Sequence, residues 1–462
     1  GIIEVFDKRK DRSEMINEHK LSKGNEINLS LTKKQLRIKN SISGSILRGN
    51  AETYLIHGIT GSGKTLIYLH LIRQVIDDGK SVLIMVPEIS LTPQLIDRFE
   101  NVFPGEIAVV HSKMSAGERY DSWRNIKYNS AKIVIGARSA LFAPLGNLGL
   151  IIVDEEHDQS FKQEAPSPRY NGRDCAVVRG KMEKVPVVLG SATPSIESYY
   201  NAKTGKYRYY KLNERADNAK LPEIKIIDMK TAYKEGQVKG KFTKSLLSEI
   251  SSRIEKKEGT ILLQNRRGFS TMLYCSDCGF VPMCVNCDIT MTYHKHSDQL
   301  RCHYCGYTVN KYEVCPECGS SELKTVGFGT QRIENELEEL LLETGLKTNI
   351  ERFDLDTTSG KDGHRKILTR FAHGETDVLV GTQMVAKGID FDRVTLVGIL
   401  SADSQLFIPD FRSSEKTFSL LTQVAGRAGR SARRRGEVII QTLDPEIPAI
   451  SYTINNDYEN TR

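Results

Sequence analysis

The stretch Gly58-Ile-Thr-Gly-Ser-Gly-Lys64-Thr65 decides the fold of the first half of the chain. It matches the phosphate-binding pattern G-x-x-x-x-G-K-[ST], and it follows an apolar strand and precedes a helical stretch, as that pattern requires. Glycines allow the backbone to wrap phosphate groups, and the start of a helix offers unpaired N–H groups to them. We expect Lys64 to neutralise phosphate oxygens and Thr65 to bind Mg²⁺. The residues predicted to hold the nucleotide here are Gly58, Thr60, Gly61, Ser62, Gly63, Lys64 and Thr65.

A second stretch, Leu150-Ile-Ile-Val-Asp154-Glu155-Glu156-His157, is predicted to be a buried strand that ends in carboxylates. This placement predicts that Asp154 holds Mg²⁺, directly or through water, and that Glu155 orients and deprotonates an attacking water. Because the two stretches occur together, the sequence predicts an enzyme that hydrolyses a nucleoside triphosphate.

Short β-branched runs alternate with amphipathic stretches along most of the chain, which implies parallel sheets covered by helices on both faces. The predicted strands of the first half are Tyr54–His57, Val82–Val86, Ile133–Ile135, Leu150–Val153 and Val187–Leu189. Those of the second half are Thr260–Gln264, Lys324–Gly327, Val378–Val380, Leu396–Gly398 and Val438–Gln441. The pattern therefore predicts an α/β fold of two similar lobes with parallel sheets, and a cysteine-rich insertion in the second lobe.

The composition is that of a globular protein with a proper core, because hydrophobic residues make up 39% and charged residues 27% of the 462. No apolar run approaches the ~18 residues of a membrane-spanning helix, and no signal peptide is present, so we expect a cytoplasmic protein without a membrane partner. The formal net charge is +7. Eight thiolates bound to two zinc ions would change it by −8 + 4, to about +3.

Eight of the nine cysteines form four Cys-x-x-Cys pairs. A disulfide framework would need an oxidising compartment, so we predict two structural Cys₄ zinc sites instead. The pairs can be grouped in three ways, but residues 288–301 between the second and third pairs approach the linker length of a zinc ribbon. This spacing favours a nested arrangement. The predicted inner ligands are Cys284, Cys287, Cys302 and Cys305, and the outer ones are Cys275, Cys278, Cys315 and Cys318. We expect His294, His296 and His303 to be surface residues, and Cys175 to be a core thiol.

Further motifs indicate which kind of nucleoside triphosphate hydrolase the sequence resembles. Asp154–His157 is a variant of the Asp-Glu-x-His strand end of superfamily 2 helicases, and a Gly-Ser-Ala-Thr-Pro run at 190–194 resembles their Ser-Ala-Thr motif. The segment 423–430, Gln-Val-Ala-Gly-Arg-Ala-Gly-Arg, resembles the motif that supplies arginine fingers. Six more runs resemble the PriA family of replication-restart helicases: Leu31–Gln35, Val86–Gln94, Gly136–Ala140, Gln264–Gly268, Gly381–Gly388 and Ala402–Arg412. The resemblance covers roughly residues 28–450. It implies two RecA-like P-loop lobes with parallel sheets, an ATP site in the cleft, and a cysteine-rich double-zinc insertion in the second lobe.

The resemblance implies roles for several residues. Gln35 would read adenine, and Arg427 and Arg430 would stabilise the charge that grows on the γ-phosphate when the lobes close. Two departures stand out: Ile389 replaces a common His, and the family's aromatic-rich loop, here 158–174, has no Trp. Base stacking would rest on Phe161 and Tyr170, although either ring is alternatively a core residue. The cations of this loop are Lys162, Arg169 and Arg173. The predicted DNA contacts are Arg138, Phe161, Lys162, Arg169, Tyr170 and Lys387.

The domain boundaries follow from the same patterns. We expect a linker or the end of a missing N-terminal DNA-binding domain at 1–28, a first lobe at 29–215 and a connector at 216–245. A second lobe at 246–443 would contain the zinc-binding insertion 271–323, and 444–462 would begin a truncated C-terminal domain.

The expected function is ATP-dependent unwinding of DNA at stalled forks, followed by loading of the primosome for replication restart. The expected cofactors are ATP, Mg²⁺ and two Zn²⁺, and the expected substrates are single-stranded and forked DNA. Single-strand-binding protein and primosome proteins are partners that the resemblance implies. A translocase that does not unwind DNA and a zinc-dependent loader scaffold are the alternatives.

Overall fold

A computed structural model describes residues 30–454 and 458, with internal gaps. The residues outside the description in that range are 89–92, 113, 216–220, 265–271, 288–289, 295–296, 303–304, 327–329, 355–356, 358–362, 387–390, 407–409 and 430–434. The chain divides into two compact units, Gly1–Ala216 and Asp217–Arg462.

The first unit is built on a seven-stranded sheet in which every pair of neighbouring strands is parallel. Its order is β3-β4-β2-β5-β6-β1-β7. The strands are β1 (Thr53–Gly58), β2 (Ser81–Met85), β3 (Ile107–Val110), β4 (Ile133–Gly136), β5 (Leu148–Asp154), β6 (Val187–Ser191) and β7 (Arg208–Leu212). All five strands predicted for this half are present, and β3 and β7 are additional.

In the described part of this unit, six helices accompany the sheet, as parallel strands require. They are α1 (Lys33–Arg48), α2 (Lys64–Asp77), α3 (Pro93–Glu100), α4 (Ala116–Lys127), α5 (Gly172–Glu183) and α6 (Ile196–Lys203). The 3-10 turn Arg138–Phe142 follows β4, and the 3-10 turn Gln159–Phe161 follows β5. The central strands β1, β2 and β5 are buried almost throughout, which explains their unbroken apolar sequences.

The second unit contains a six-stranded sheet, also parallel throughout, in the order β17-β18-β11-β19-β20-β8. Its strands are β8 (Glu223–Asp228), β11 (Gly259–Leu263), β17 (Ile350–Phe353), β18 (Val378–Gly381), β19 (Val394–Ile399) and β20 (Glu437–Thr442). A short antiparallel pair, β9 (Val238–Lys239) and β10 (Phe242–Thr243), precedes β11. The predicted pair of parallel α/β lobes is therefore confirmed.

Where the structure describes the second unit, it contains seven helices. They are α7 (Met229–Lys234), α8 (Lys244–Glu255), α9 (Thr330–Leu342), α10 (Gly363–His373), α11 (Asp403–Leu406), α12 (Ser413–Ala425) and α13 (Pro448–Ile454). A 3-10 turn spans Gln383–Ala386. Helix α13 packs on α12 with Ala449 and Ile450 buried, so part of the predicted C-terminal domain 444–462 belongs to this lobe.

The connector predicted at 216–245 needs correction, because it holds β8 and the β9–β10 pair. Strand β8 pairs with β20 from Glu223 to Asp228, so it is the edge strand of the second sheet. The charged residues that suggested a linker alternate with apolar residues along β8. No side chain of this strand is fully buried, as expected for an edge strand.

The cysteine-rich block forms two small sheets of its own. One is the antiparallel pair β12 (Met272–Cys275) and β16 (Leu323–Val326), and the other is the order β13 (Thr292–His294), β14 (Gln299–Arg301), β15 (Thr308–Asn310). The assignment of Lys324–Gly327 to the main sheet was wrong, because β16 pairs with β12 instead. The antiparallel pair β12–β16 brings the two ends of the cysteine-rich block together. None of the strands of this block is part of the six-stranded sheet.

Among the helices that the structure describes, none is both long and apolar enough to cross a membrane.

Candidate nucleotide, nucleic-acid and metal sites

The loop after β1 has the geometry of a phosphate cradle. Gly61 and Gly63 both have φ of 81°, and Gly63 is the N-cap of α2, so the loop turns directly into a helix start. Lys64 is buried, and its Nζ donates to the carbonyl oxygen of Gly58 at 2.6 Å. The buried hydroxyl of Ser62 has no hydrogen-bond partner among the described residues. An anion placed on this loop would satisfy these donors.

Gln35 is attached to this loop. It is the N3 residue of α1, where its Oε1 accepts from Thr32 N at 2.9 Å, and its Nε2 donates to Ser62 O, also at 2.9 Å. The capping box and the loop thus fix the amide in place. Adenine reading by Gln35 stays a prediction. The structure adds that this side chain supports the phosphate loop.

The acidic end of β5 lies at the same edge of the sheet as the loop, separated from β1 by β6 alone. Tyr68, on α2, donates to Asp154 Oδ1 at 3.0 Å. Burial, followed by the neighbouring Glu155 carboxylate, raises the pKa of Asp154 to about 6. A divalent cation at this point would relieve both effects, because it favours the charged carboxylate. Asp154 therefore has the surroundings expected of a Mg²⁺ ligand.

Glu155 has an unusual backbone and an unused oxygen. Its φ is 50°, in the left-handed region that non-glycine residues rarely adopt. Its Oε2 is buried, accepts no hydrogen bond from the described residues, and lies 3.6 Å from His157 Nδ1. Orphaned buried carboxylate oxygens are costly, so the arrangement fits a group that accepts a hydrogen bond from a bound water.

The run 190–194 lies directly beside this strand end. Ser191 Oγ is 2.8 Å from His157 Nδ1 and accepts from Thr193 N at 2.9 Å. Glu156 N donates to Gly190 O at 3.1 Å. The Asp-Glu-Glu-His and Ser-Ala-Thr stretches are therefore joined by hydrogen bonds.

The predicted DNA-binding loop is divided between surface and core. Lys162 and Arg169 are exposed, whereas Tyr170 is half-buried, with Arg138 stacked 5.7 Å from its ring centroid. Arg138 Nη1 also donates to Lys162 O at 2.9 Å, so it braces the loop. Phe161 is 1% exposed. Base stacking by Phe161 is therefore contradicted, because its ring packs in the core against the sheet.

Two residues of this region correct or extend the sequence analysis. Arg173 is 7% exposed and is paired with carboxylates, so it is not available to DNA. Phe142 was not singled out, yet it is 65% exposed and packs edge-on against Tyr170 with centroids 5.4 Å apart. The sequence feature that could have identified Phe142 is its position four residues after Arg138, a predicted DNA contact, at the other end of the same 3-10 turn.

The second unit positions one predicted arginine. Arg427 follows α12, and its Nε donates to Ala386 O at 3.0 Å, at the end of the Gln383–Ala386 turn. Arg430 and Lys387 lie outside the described residues, as does Ile389. The roles of Arg427, Arg430 and Lys387 stay predictions.

The eight paired cysteines form two groups, in which all ligand atoms lie within 4.8 Å of one another. One contains Cys275, Cys278, Cys315 and Cys318, and the other contains Cys284, Cys287, Cys302 and Cys305. The sulfur atoms of Cys278 and Cys315 are 3.5 Å apart, and those of Cys275 and Cys318 are 3.6 Å apart. Four sulfurs about 2.3 Å from a central tetrahedral Zn²⁺ have closely similar separations. The nested grouping is confirmed.

A repeated turn prepares the thiolates. Three of the pairs are followed by a glycine with positive φ, Gly279, Gly306 and Gly319, and the glycine N–H closes the turn by donating to the carbonyl of the first cysteine. A hydrogen bond from the backbone of Tyr307 lowers the pKa of Cys305 to about 6. Neither group includes a histidine among the described residues. His294 lies on β13, and His296 and His303 are outside the description. Cys175, on α5, packs beside the core of the first unit.

Comparison with known proteins gives three family matches in chain order. The DEAD/DEAH box helicase model matches residues 34–202, and the helicase conserved C-terminal domain matches 311–432. The PriA DNA helicase Cys-rich region matches 284–309, inside the zinc block. The replication restart protein PriA of Bacillus subtilis is 47% identical over 93% of this chain and 53% of its own length.

The chain belongs to the PriA family. The PriA of Haemophilus influenzae is 41% identical over 94% of this chain and 58% of its own length, and that of Treponema pallidum is 40% identical over 89% and 60%. The chain thus spans about half of the length of the curated PriA proteins that it matches. The matched Cys-rich region contains the inner cysteine group, and the two groups are the ligand sets for two Zn²⁺.

Solved structures support the fold alone, because their identities are low. The helicase MrfA bound to DNA superposes with a TM-score of 0.55 at 15% identity, covering 94% of this chain and 48% of that one. The Mycobacterium smegmatis helicase Lhr, bound to single-stranded DNA and AMP-PNP, gives 0.54 at 14%, covering 91% and 48%. Both agree with an architecture of two helicase lobes.

Proposed function

We propose that this chain is an ATP-dependent DNA helicase that acts at stalled forks and prepares them for replication restart. The observation that carries the proposal is the edge of the first sheet. At that edge, the Asp154 carboxylate has the surroundings of a Mg²⁺ ligand. The Ser62 hydroxyl on the phosphate loop and Glu155 Oε2 make no hydrogen bond to the described residues. Because the chain belongs to the PriA family, we propose that ATP hydrolysis at this site is coupled to DNA.

Each part of the site has a proposed task. Lys64 and Thr65 hold the triphosphate and Mg²⁺, Asp154 completes the metal site, and Glu155 activates water. Arg427 and Arg430 stabilise the charge that grows on the γ-phosphate. Their effect is expected in the transition state rather than in nucleotide binding.

Single-stranded DNA is the proposed polymer on the first unit. The exposed cations Lys162 and Arg169 flank the Phe142–Tyr170 pair, and Arg138 is stacked on Tyr170. Cations of this kind bind phosphates without reading sequence, and an exposed ring stacks on any base. Lys387 is proposed as a further contact from the second unit. Binding is expected to be salt-dependent.

The zinc block is proposed to contribute to strand separation or to recruit partners. Among its described residues, the hydrophobic side chains Val285, Val314 and Met283 are 76%, 54% and 43% exposed. This exposure favours docking of another protein, such as single-strand-binding protein or a primosome component. It also fits the alternative that the chain is a zinc-dependent loader scaffold. A reducing cytoplasm, where thiolate–zinc sites persist, is the proposed location.

The decisive experiment compares ATP hydrolysis with and without single-stranded DNA, alongside displacement of a labelled strand from a fork. A helicase is expected to show stimulated hydrolysis and ATP-dependent displacement. Stimulated hydrolysis without displacement would indicate a translocase that does not unwind. Absence of hydrolysis under both conditions would contradict the proposal and would favour the loader-scaffold alternative.

A further inference from the structure

A buried cluster of hydrogen-bonding groups lies immediately beyond the catalytic edge. Its centre is Glu156, whose side chain is fully buried. Its carboxylate accepts from Ser195 N at 2.7 Å, from Ser195 Oγ at 3.1 Å and from Ser198 Oγ at 2.7 Å, all in the first turn of α6. A fourth donor, Arg173 Nη1 on α5, lies at 3.1 Å.

Arg173 is hydrogen-bonded through both its Nη1 and its Nε. Besides Glu156, it donates to Ser195 Oγ, and its Nε donates to Asp174 Oδ1 at 2.8 Å. The side chain is 8% exposed. Nearby carboxylates raise the pKa of Arg173 despite its burial, so it stays charged. Three segments therefore meet at one ion pair: the end of β5, the start of α5 and the start of α6.

This ion pair adjoins both functional regions of the first unit. On one side, Glu156 follows Glu155 directly, and the Glu156 N–H is held by Gly190 O at 3.1 Å. On the other side, Arg173 is the second residue of α5. The N-cap of α5, Asn171, ends the loop 158–171 and forms an antiparallel β-bridge with Lys162. A shift of the loop moves Arg173, and a shift of Glu156 moves Glu155.

The energetics argue against a purely stabilising role. A buried ion pair commonly stabilises a fold no more than apolar side chains of similar volume, because its desolvation offsets its attraction. Glu155 in turn needs support, since its backbone occupies a strained region that surrounding contacts must enforce. Asp154 is held by Tyr68 and Glu156 by four donors, so Glu155 is clamped on both sides.

We propose that Glu156 and Arg173 are positioning residues for ATP hydrolysis, which fix the Glu155 carboxylate and transmit to it the placement of loop 158–171. This inference rests on the proposed hydrolysis and adds the means by which a nucleic acid on the loop changes its rate. Neither residue touches nucleotide or water in this scheme.

The test uses the full chain and the variants Glu156→Gln, Arg173→Gln and Arg173→Lys. Lys181→Gln serves as a control, because Lys181 is an exposed cation in the last turn of the same helix α5. Bound ATP analogue is counted per chain, so that each kcat refers to sites that are folded and filled. The KM for ATP is measured with it, first without DNA and then with saturating oligo-dT.

Glu156→Gln and Arg173→Gln are expected to lower the DNA-free kcat per filled site at least about tenfold, with KM changed less than about twofold. Arg173→Lys should recover part of the loss, because it retains the charge without the guanidinium fork. The ratio of DNA-stimulated to DNA-free rates should also fall in both Gln variants. Lys181→Gln should resemble the unaltered chain.

Two outcomes would overturn the inference. One is an unchanged kcat per filled site in both Gln variants, and the other is an equal change in kcat and KM with fewer filled sites, as mere loss of folding would give. Failure of the proposed function is distinguishable, because then the unaltered chain itself would hydrolyse no ATP. If it hydrolysed ATP without responding to DNA, the DNA-free kcat would still decide the positioning role.

Discussion

The Tyr68 hydroxyl donates a 3.0 Å hydrogen bond to Asp154 Oδ1, and so ties the first helix after the phosphate loop to the acidic strand end. Strand β6 lies between β1 and β5, and the contact passes over Gly190. A Cβ at position 190 would lie 1.7 Å from Tyr68 Oη. Glycine at position 190 therefore leaves the space that the hydrogen bond between Tyr68 and Asp154 needs.

This relationship predicts a suppressor. Gly190→Ala should lower ATP hydrolysis at least about tenfold, because the new methyl group displaces Tyr68 and disturbs Asp154. Tyr68→Phe alone removes one hydrogen bond, worth about 1 kcal/mol, and should cost little activity. The double variant should recover part of the lost activity, since the 1.7 Å clash is removed while the ring carbon Cζ at position 68 and Asp154 Oδ1 stay 3.1 Å from the methyl group. Steady-state ATPase rates of the three variants check this, and a double variant as poor as Gly190→Ala would refute the steric explanation.

Glu155→Gln should keep ATP and Mg²⁺ bound while hydrolysis falls at least about 10²-fold, because the water loses its base while Asp154 keeps the metal. Nucleotide affinity and turnover, measured on the same preparation, separate the two effects. Glu164→Gln, an exposed carboxylate on the adjacent loop, is the control and should leave turnover unchanged. Comparable turnover in Glu155→Gln would remove Glu155 from the catalytic role.

Arg427→Ala should abolish turnover with little loss of nucleotide affinity, because its charge matters chiefly in the transition state. Arg430→Ala should behave alike. Arg435→Ala is a suitable control, since Arg435 is 77% exposed and pairs with Glu223 at 3.1 Å. Equilibrium binding of labelled ATP and single-turnover hydrolysis are the measurements. A collapse of affinity with turnover preserved at saturation would instead make these arginines ground-state ligands.

Phe142→Ala should weaken binding of single-stranded DNA about 5- to 100-fold, because stacking on one base contributes about 1–3 kcal/mol. The salt dependence should be unchanged, since no phosphate contact is lost. Tyr120→Ala, which removes a ring 63% exposed on α4, is the matched control. Fluorescence anisotropy of a labelled oligo-dT at several salt concentrations measures both properties. Equal losses in the two variants would show that Phe142 has no special place on the DNA path.

Replacing Cys284 and Cys287 with Ser should release about one zinc ion per chain and unfold the local ribbon, because such sites draw folding energy from the metal. The outer site should retain its zinc, since its four ligands form a separate group. DNA-stimulated hydrolysis should persist while strand separation or partner loading is lost. Metal analysis alongside both assays checks the result, with Cys175→Ser as the control. Loss of ATPase together with the metal would place the block within the core of the lobe.

The sequence by itself determined the chemistry and most of the architecture. The phosphate loop, Asp154, Glu155 and the cysteine pairs are local patterns, in which the chemistry depends on residues close together in the chain. The buried strands could be predicted too, because a parallel sheet covered on both faces demands continuous apolar runs. The same rule failed for β16, whose few apolar residues suit a zinc ribbon as well as a main sheet.

Only the tertiary structure decided which side chains face the site. Phe161 and Phe142 are both aromatic residues near predicted contacts, yet packing against the sheet buries the first and leaves the second exposed. Arg173 reads as a DNA-binding cation until folding places it on Glu156. Such pairs join residues distant in the chain through helices packed on a sheet. No local pattern encodes them, because burial depends on all the elements that surround a side chain.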